Sequence, residues 1–184
     1  MFLVLLDADV LVPPTLADTV LRVAEAGVVG PRWSRPILDE MAAAMVAAGA
    51  SSRAAARRVE AMTSAFPFAE VDGQEEIEPI LTNDPGHRHV LAAAIRSEAH
   101  TIVTFDLAAF PAWSLEPWGI ETVHPDQFMS SQLDLTPGLV MGALTRQSAG
   151  YTRPPRSVSE ILGTLGRSGL PDFADECRRY LPQG

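Results

Sequence analysis

The stretch Met1-Phe2-Leu3-Val4-Leu5-Leu6-Asp7-Ala8-Asp9-Val10-Leu11-Val12 decides how the chain folds. Five apolar residues in a row, Phe2 to Leu6, cannot alternate between core and water. Such a run suits a strand buried on both faces, as in a parallel sheet covered by helices. In sheets of that kind ligands bind beyond the carboxyl ends of the strands, and that is where the run delivers Asp7 and Asp9. Residues two apart on a strand point the same way, so the two aspartates are expected to face one point, with Ala8 turned away. A carboxylate at such an edge is costly to desolvate unless something compensates it. Asp7 is therefore a candidate functional group, while Asp9 either joins it or only turns the chain before Pro13 and Pro14.

Farther along, Thr101-Ile102-Val103-Thr104-Phe105 repeats the pattern and delivers Asp106. Between the two strands the pattern is helical. Residues 15 to 26 carry Leu16, Val20, Val23 and Ala24 on one stripe and stop at Gly27. Ser34 and Pro36 open a helix to about Ala48 that carries Glu40. Ser51 or Ser52 caps a third helix, which bears the basic cluster Arg53, Arg57 and Arg58, either a solvated face or a place for phosphates or an acidic partner. A short strand at 69 to 71 and a short helix at 75 to 81 follow. Asp84-Pro85 then starts a helix reaching Ala99, with Asp at the N-cap and Pro at N1. Asp84 and His87, three apart, can face one point; His87 and His89 each read as a surface or hydrogen-bonded histidine. Ile120 to Val123 is a further strand. Strands alternating with helices imply parallel crossovers. Beyond Pro125 only helices are expected, opened by Thr136-Pro137, by the capping box of Ser157 and Glu160, and by Pro171. The chain thus divides into an α/β domain of residues 1 to 128 and a helical extension of residues 129 to 184.

Composition bounds the function. The 184 residues are 47% hydrophobic and 20% charged, ordinary for a soluble globular chain. The apolar N-terminus lacks a basic leader and is broken by aspartates, so it does not read as a signal peptide, and no run reaches the length of a membrane span. The single cysteine, Cys177, excludes an internal disulfide and a thiolate metal cage, which makes a cytoplasmic setting the default. The net charge of -9 argues against indiscriminate binding to nucleic acid, which needs a basic face. It leaves room for a nuclease whose acidic site is neutralised by cations. All fourteen cationic residues are arginine.

Asp7, Glu40, Asp84 and Asp106 can converge on one pocket. Carboxylates so close raise one another's pKa unless hard cations neutralise them. Oxygen ligands suit Mg²⁺ or Mn²⁺, and one or two such ions can promote phosphodiester hydrolysis. No Walker loop, dinucleotide glycine motif, nucleophile elbow or zinc spacing competes.

Leu5-Leu6-Asp7-Ala8-Asp9-Val10-Leu11, Ile37-Leu38-Asp39-Glu40, Asp84-Pro85 with Arg88-His89-Val90-Leu91-Ala92-Ala93-Ala94, and Ile102-Val103-Thr104-Phe105-Asp106 together resemble the PIN-domain family over residues 1 to 128. Their order is most similar to VapC-type ribonuclease toxins. The resemblance implies a three-layer α/β/α fold with a parallel sheet of four or five strands and Mg²⁺- or Mn²⁺-dependent cleavage of RNA. It also implies homodimers and a cognate antitoxin. By position, Asp7, Glu40 and Asp106 match metal ligands, Asp84 or His87 completes the set, and Thr104 matches the hydroxyl that orients them. Asp9 falls at a polar position behind the ligands, and Arg88 joins Arg53, Arg57 and Arg58 as a possible contact to RNA or a partner. The chain departs from the family at His87, where an acidic residue is expected, and at Ala109, where another often stands. An imidazole in place of an oxygen ligand favours Mn²⁺ or a softer ion. These departures motivate the alternative of a PIN-like binding module without catalysis. The first motif also resembles haloacid-dehalogenase-like phosphatases, but their basic residue is usually lysine, which this chain lacks.

Overall fold

The structure, a computed structural model, describes residues 1 to 182; the last two residues of the expected extension lie outside the described residues. The sheet has five parallel strands, β1 (Phe2–Leu6), β2 (Val29–Ser34), β3 (Glu70–Val71), β4 (Thr101–Val103) and β5 (Glu121–Val123), in the order β3-β2-β1-β4-β5. Val4, Leu5, Leu6, Ile102 and Val103 are wholly buried, as an apolar run flanked by helices requires. The chain leaves β1 toward β2 on one side and returns to β4 on the other, so the strand order reverses between β1 and β4. In sheets of this kind such a reversal is where a crevice for ligands is expected, outside the strands' carboxyl ends. Leu6 pairs with Val103, which sets Asp7 level with Thr104.

The first aspartates differ from expectation. The strand stops at Leu6, and Ala8–Leu11 form a helical turn, α1, with Asp7 as its extended N-cap (φ −73°, ψ 159°). Asp9 is therefore in a first helical turn and not on a strand face. Aspartate caps helices well, and the turn buries Val10 and Leu11. Asp106 is likewise no counterpart of Asp7, since it lies three residues beyond β4, where it caps a 3₁₀ turn at Leu107–Ala109.

Strand β2 is absent from the sequence reading because Gly30 and Pro31 are poor strand residues. Tertiary packing overrides that preference. Trp33 is wholly buried, pairs with Glu70, and meets the Phe66 ring edge-on at 5.9 Å. Ser34 ends this strand and makes no side-chain capping bond to α3 (Arg35–Ala47). By contrast, the Ser51 hydroxyl does cap α4 (Ser52–Ala65), accepting the Ala54 N–H. The segment expected as one helix at 75 to 81 is two 3₁₀ turns. A further 3₁₀ turn, Pro85–His87, leads into α5 (Arg88–Arg96), whose residues Val90 to Ala94 are all buried. Helix α6 (Ala112–Leu115) precedes β5.

The chain forms two compact units. One comprises Phe2–Val12 and Gly30–Val123 and holds Asp7, Asp9, Glu40, Asp84 and Asp106. The other joins Pro13–Val29 to residues 124 to 182. In it α2 (Pro14–Glu25), closed by Gly27 at φ +80°, packs against α8 (Pro137–Gly150) and α9 (Val158–Arg167). The buried Gln147 amide is satisfied at both ends, by the Thr19 hydroxyl at 2.8 Å and the Thr15 carbonyl at 3.1 Å. Helix α7 (Pro125–Leu135) runs across position 128, the expected end of the α/β domain. Ser157 and Glu160 form their capping box as expected. Cys177 is buried in α10 (Pro171–Arg178), where it packs, and burial pushes its thiol up to about 12. No described helix is long and apolar enough to cross a membrane.

Asp126 caps α10 from a distance, accepting the Asp172 N–H at 3.1 Å and the Phe173 N–H at 2.8 Å. Asp126→Ala strands both donors and is expected to cost about 1–3 kcal/mol, read as a lower urea midpoint. A midpoint equal to that of the parent would refute the assigned role.

Candidate active site

Past the carboxyl ends of β1 and β4 one hydroxyl organises two carboxylates. Asp7 is 4% exposed; its Oδ1 accepts the Ala8 N–H at 2.7 Å and its Oδ2 accepts the Thr104 hydroxyl at 2.9 Å. The same hydroxyl lies 3.2 Å from Asp9 Oδ2 and accepts the Asp106 N–H at 3.1 Å. Asp9 Oδ2 also accepts the Phe105 N–H at 2.9 Å, whereas Oδ1 is buried without a hydrogen-bond partner. Burial, and then the charge of Asp7, push the Asp9 carboxyl up to about 6, against the opposing pull of these hydrogen bonds.

A second group of side chains stands around His87. Its Nδ1 is 3.1 Å from Asp84 Oδ1 and its Nε2 is 3.8 Å from Asp106 Oδ2, while its ring meets Phe110 edge-on at 5.5 Å. Asp84 caps its own turn through the Gly86 N–H, and Asp106 accepts the Ala109 N–H at 3.3 Å. The hydrogen bond from His87 holds the Asp84 carboxyl below its usual range. Burial alone would lower the imidazole, but the Asp84 hydrogen bond and the charges of Asp7, Asp106 and Asp84 outweigh it and raise His87 above its ordinary value.

Glu40 stands on α3, where its Oε2 lies 3.2 Å from His89 Nε2. The structure thus links Asp7, Asp9, Thr104, Asp106, Asp84 and His87 through direct contacts and mutual charge, and ties Glu40 to α5 through His89. Residues 40 and 89 meet only through the fold, so no spacing in the sequence signals the pair. Of the basic residues, Arg58 is braced against the Val12 carbonyl at 3.0 Å, Arg88 is half-buried, and Arg53 and Arg57 are exposed. Among the described residues, no three His, Cys, Asp or Glu side chains are placed to hold a metal ion as they stand. The chemistry of the donors nonetheless fits a hard cation, which takes oxygen ligands. The buried Asp9 Oδ1, which accepts no hydrogen bond, is an orphaned oxygen of the kind such a cation would satisfy.

A family model described as the PIN domain matches residues 3–108, and one described as the VapC50 C-terminal domain matches residues 125–179. The chain belongs to the PIN-domain family, in its VapC branch. It is 34% identical over 161 residues to "Putative ribonuclease VapC50" of Mycobacterium tuberculosis (strain ATCC 25618 / H37Rv), covering 88% of this chain and 87% of that protein. The likeness therefore runs past position 128 into the helical C-terminal part. No solved structure matches the chain at comparable stringency.

A carboxyl raised on folding binds more protons in the native state than in the unfolded chain between about pH 4 and pH 6. Stability then falls as pH rises through that window, and the cost is fully present above it. Asp9→Asn keeps an acceptor for Phe105 and removes the charge. In chelator at pH 8 it is expected to be about 1–2 kcal/mol more stable than the parent, a figure reduced for partial exposure, with the gain vanishing near pH 4. Denaturant melts at both pH values check this; a variant less stable at pH 8 would contradict it.

Proposed function

We propose that the protein is a VapC-type endoribonuclease that hydrolyses RNA phosphodiesters with a divalent metal ion and serves as the toxin of a toxin-antitoxin pair. The observation that carries this reading is the gathering of Asp7, Asp84 and Asp106, from the end of β1, the start of α5 and the turn after β4, around the place where the sheet order reverses. Family membership and the 34% identical relative support it.

Asp7, Glu40 and Asp106 would hold the ion, with Asp84 or His87 completing the set; a bound ion supplies Lewis acidity toward the phosphodiester. Oxygen donors admit Mg²⁺ or Mn²⁺, and His87 tilts the choice toward Mn²⁺. Thr104 fixes the orientation of Asp7 and Asp9 through its hydroxyl, so the carboxylates are aimed before substrate arrives. His87 keeps Asp84 and Asp106 from springing apart. Cleavage adds water across the P–O bond: a hydroxyl joins phosphorus, and the departing ribose oxygen takes up a proton. Exposed Arg53 and Arg57 are available for RNA phosphates or an acidic segment of the antitoxin. The chain pairs with a second copy of itself.

Cleavage of a mixed RNA pool with Mg²⁺, Mn²⁺ or chelator tests the reading. Metal-dependent cuts are expected, and Asp7→Asn should slow them by more than about a hundredfold while leaving the circular dichroism spectrum unchanged. No cleavage with either ion, by folded protein free of partners, would favour the other reading, a PIN-fold binding module in which the His87 ring fills the place between Asp84 and Asp106.

A further inference from the structure

His89 has no part in the site as drawn so far, yet its surroundings are unusual for a packing residue. Its side chain is only 12% exposed, and its Nε2 is buried without a well-aligned hydrogen-bond partner. A buried ring N–H left unpaired is costly. Glu40 Oε2, 3.2 Å away, is an acceptor that a small turn of the carboxylate would bring into line. Glu40 has the opposite difficulty. Its side chain is 52% exposed, and a glutamate free to sample its rotamers must lose that freedom before it can grip an ion.

The two residues stand on different elements, both anchored in the core. Helix α5 buries Val90 to Ala94, and α3 buries Ile37, Leu38 and Met41 on either side of the exposed Glu40. His89 is thus a largely buried ring beside an exposed carboxylate. Two residues earlier, His87 already holds Asp84 and Asp106. One turn of chain at the head of α5 therefore touches three carboxylates from three different elements.

We propose that His89 is a positioning residue: its Nε2–H grips one oxygen of Glu40 and leaves the other aimed at the metal ion. This rests on the reading of Glu40 as a metal ligand. The contact requires the tautomer with hydrogen on Nε2 and no change of charge on the ring. Groups that hold a ligating carboxylate in this way govern metal affinity, by about tenfold or more when removed.

The test is Mn²⁺ affinity, measured by calorimetry on the full chain without RNA. His89→Phe keeps the ring volume and lacks the donor; it is expected to weaken Mn²⁺ binding about tenfold. His89→Gln, whose amide can donate in the same direction, is expected to restore most of the loss. In a Glu40→Ala background His89→Phe should have no further effect, because the group it positions is gone. Parental affinity in His89→Phe, or an equal loss with and without Glu40, would overturn the proposal. Should His89→Phe not fold, His89→Leu replaces it in the same cycle. A parent chain that binds no Mn²⁺ would defeat the metal-dependent reading itself, a result distinct from parental binding that survives loss of His89.

Discussion

The register of β1 against β4 is the constraint on which the rest of the site depends. Because Leu6 pairs with Val103, the first residues past the two strands, Asp7 and Thr104, arrive side by side, and the Thr104 hydroxyl can bond Asp7 while touching Asp9. A slip of one residue would exchange the faces of β4 and set Val103 or Phe105, in place of Thr104, beside Asp7. The strands are apolar on both faces, so burial alone does not forbid the slip; the hydrogen bonds from Thr104 to Asp7 and from the Phe105 N–H to Asp9 belong to the observed register.

The same arrangement explains how four acidic side chains share a small space. Asp7 and Asp9 divide one hydroxyl and two backbone N–H groups, and Asp84 and Asp106 divide one imidazole. Compensation is incomplete only at Asp9, where burial and a neighbouring charge raise the carboxyl and one oxygen stays unpartnered. That oxygen lies just past β1, where the strand order reverses, and this coincidence of chemistry with topology makes a nuclease reading coherent.

How much of this the sequence revealed depended on whether the signal was local. The buried runs at Phe2 to Leu6 and Thr101 to Phe105 announce β1 and β4 by composition alone, although β4 stops at Val103; Asp7 follows from the end of its run, while Thr104 is singled out only by the family resemblance. The Asp84-Pro85 start and the Ser157 box are equally local. Strand β2 stayed hidden because Gly30 and Pro31 argue against a strand, and only the burial of Trp33 and the pairing with β3 settle it. A strand reading of Asp9 extends alternation three residues past the true strand end at Leu6, through an aspartate well suited to capping. Glu40 was legible as a candidate, but its partner was not, since nothing local connects residue 40 to residue 89.

Three of the acidic residues, Asp7, Asp84 and Asp106, serve as caps of the turns that follow them. Asparagine caps nearly as well as aspartate, and the two are separated by one nucleotide in the codon. The architecture therefore carries a short evolutionary path to silence: one base change can remove a charge while the turn, the sheet and the outer surface remain as they were. A lineage can disarm such a protein without dismantling it, and its inactive descendants would still fold and still occupy whatever partner the active form had.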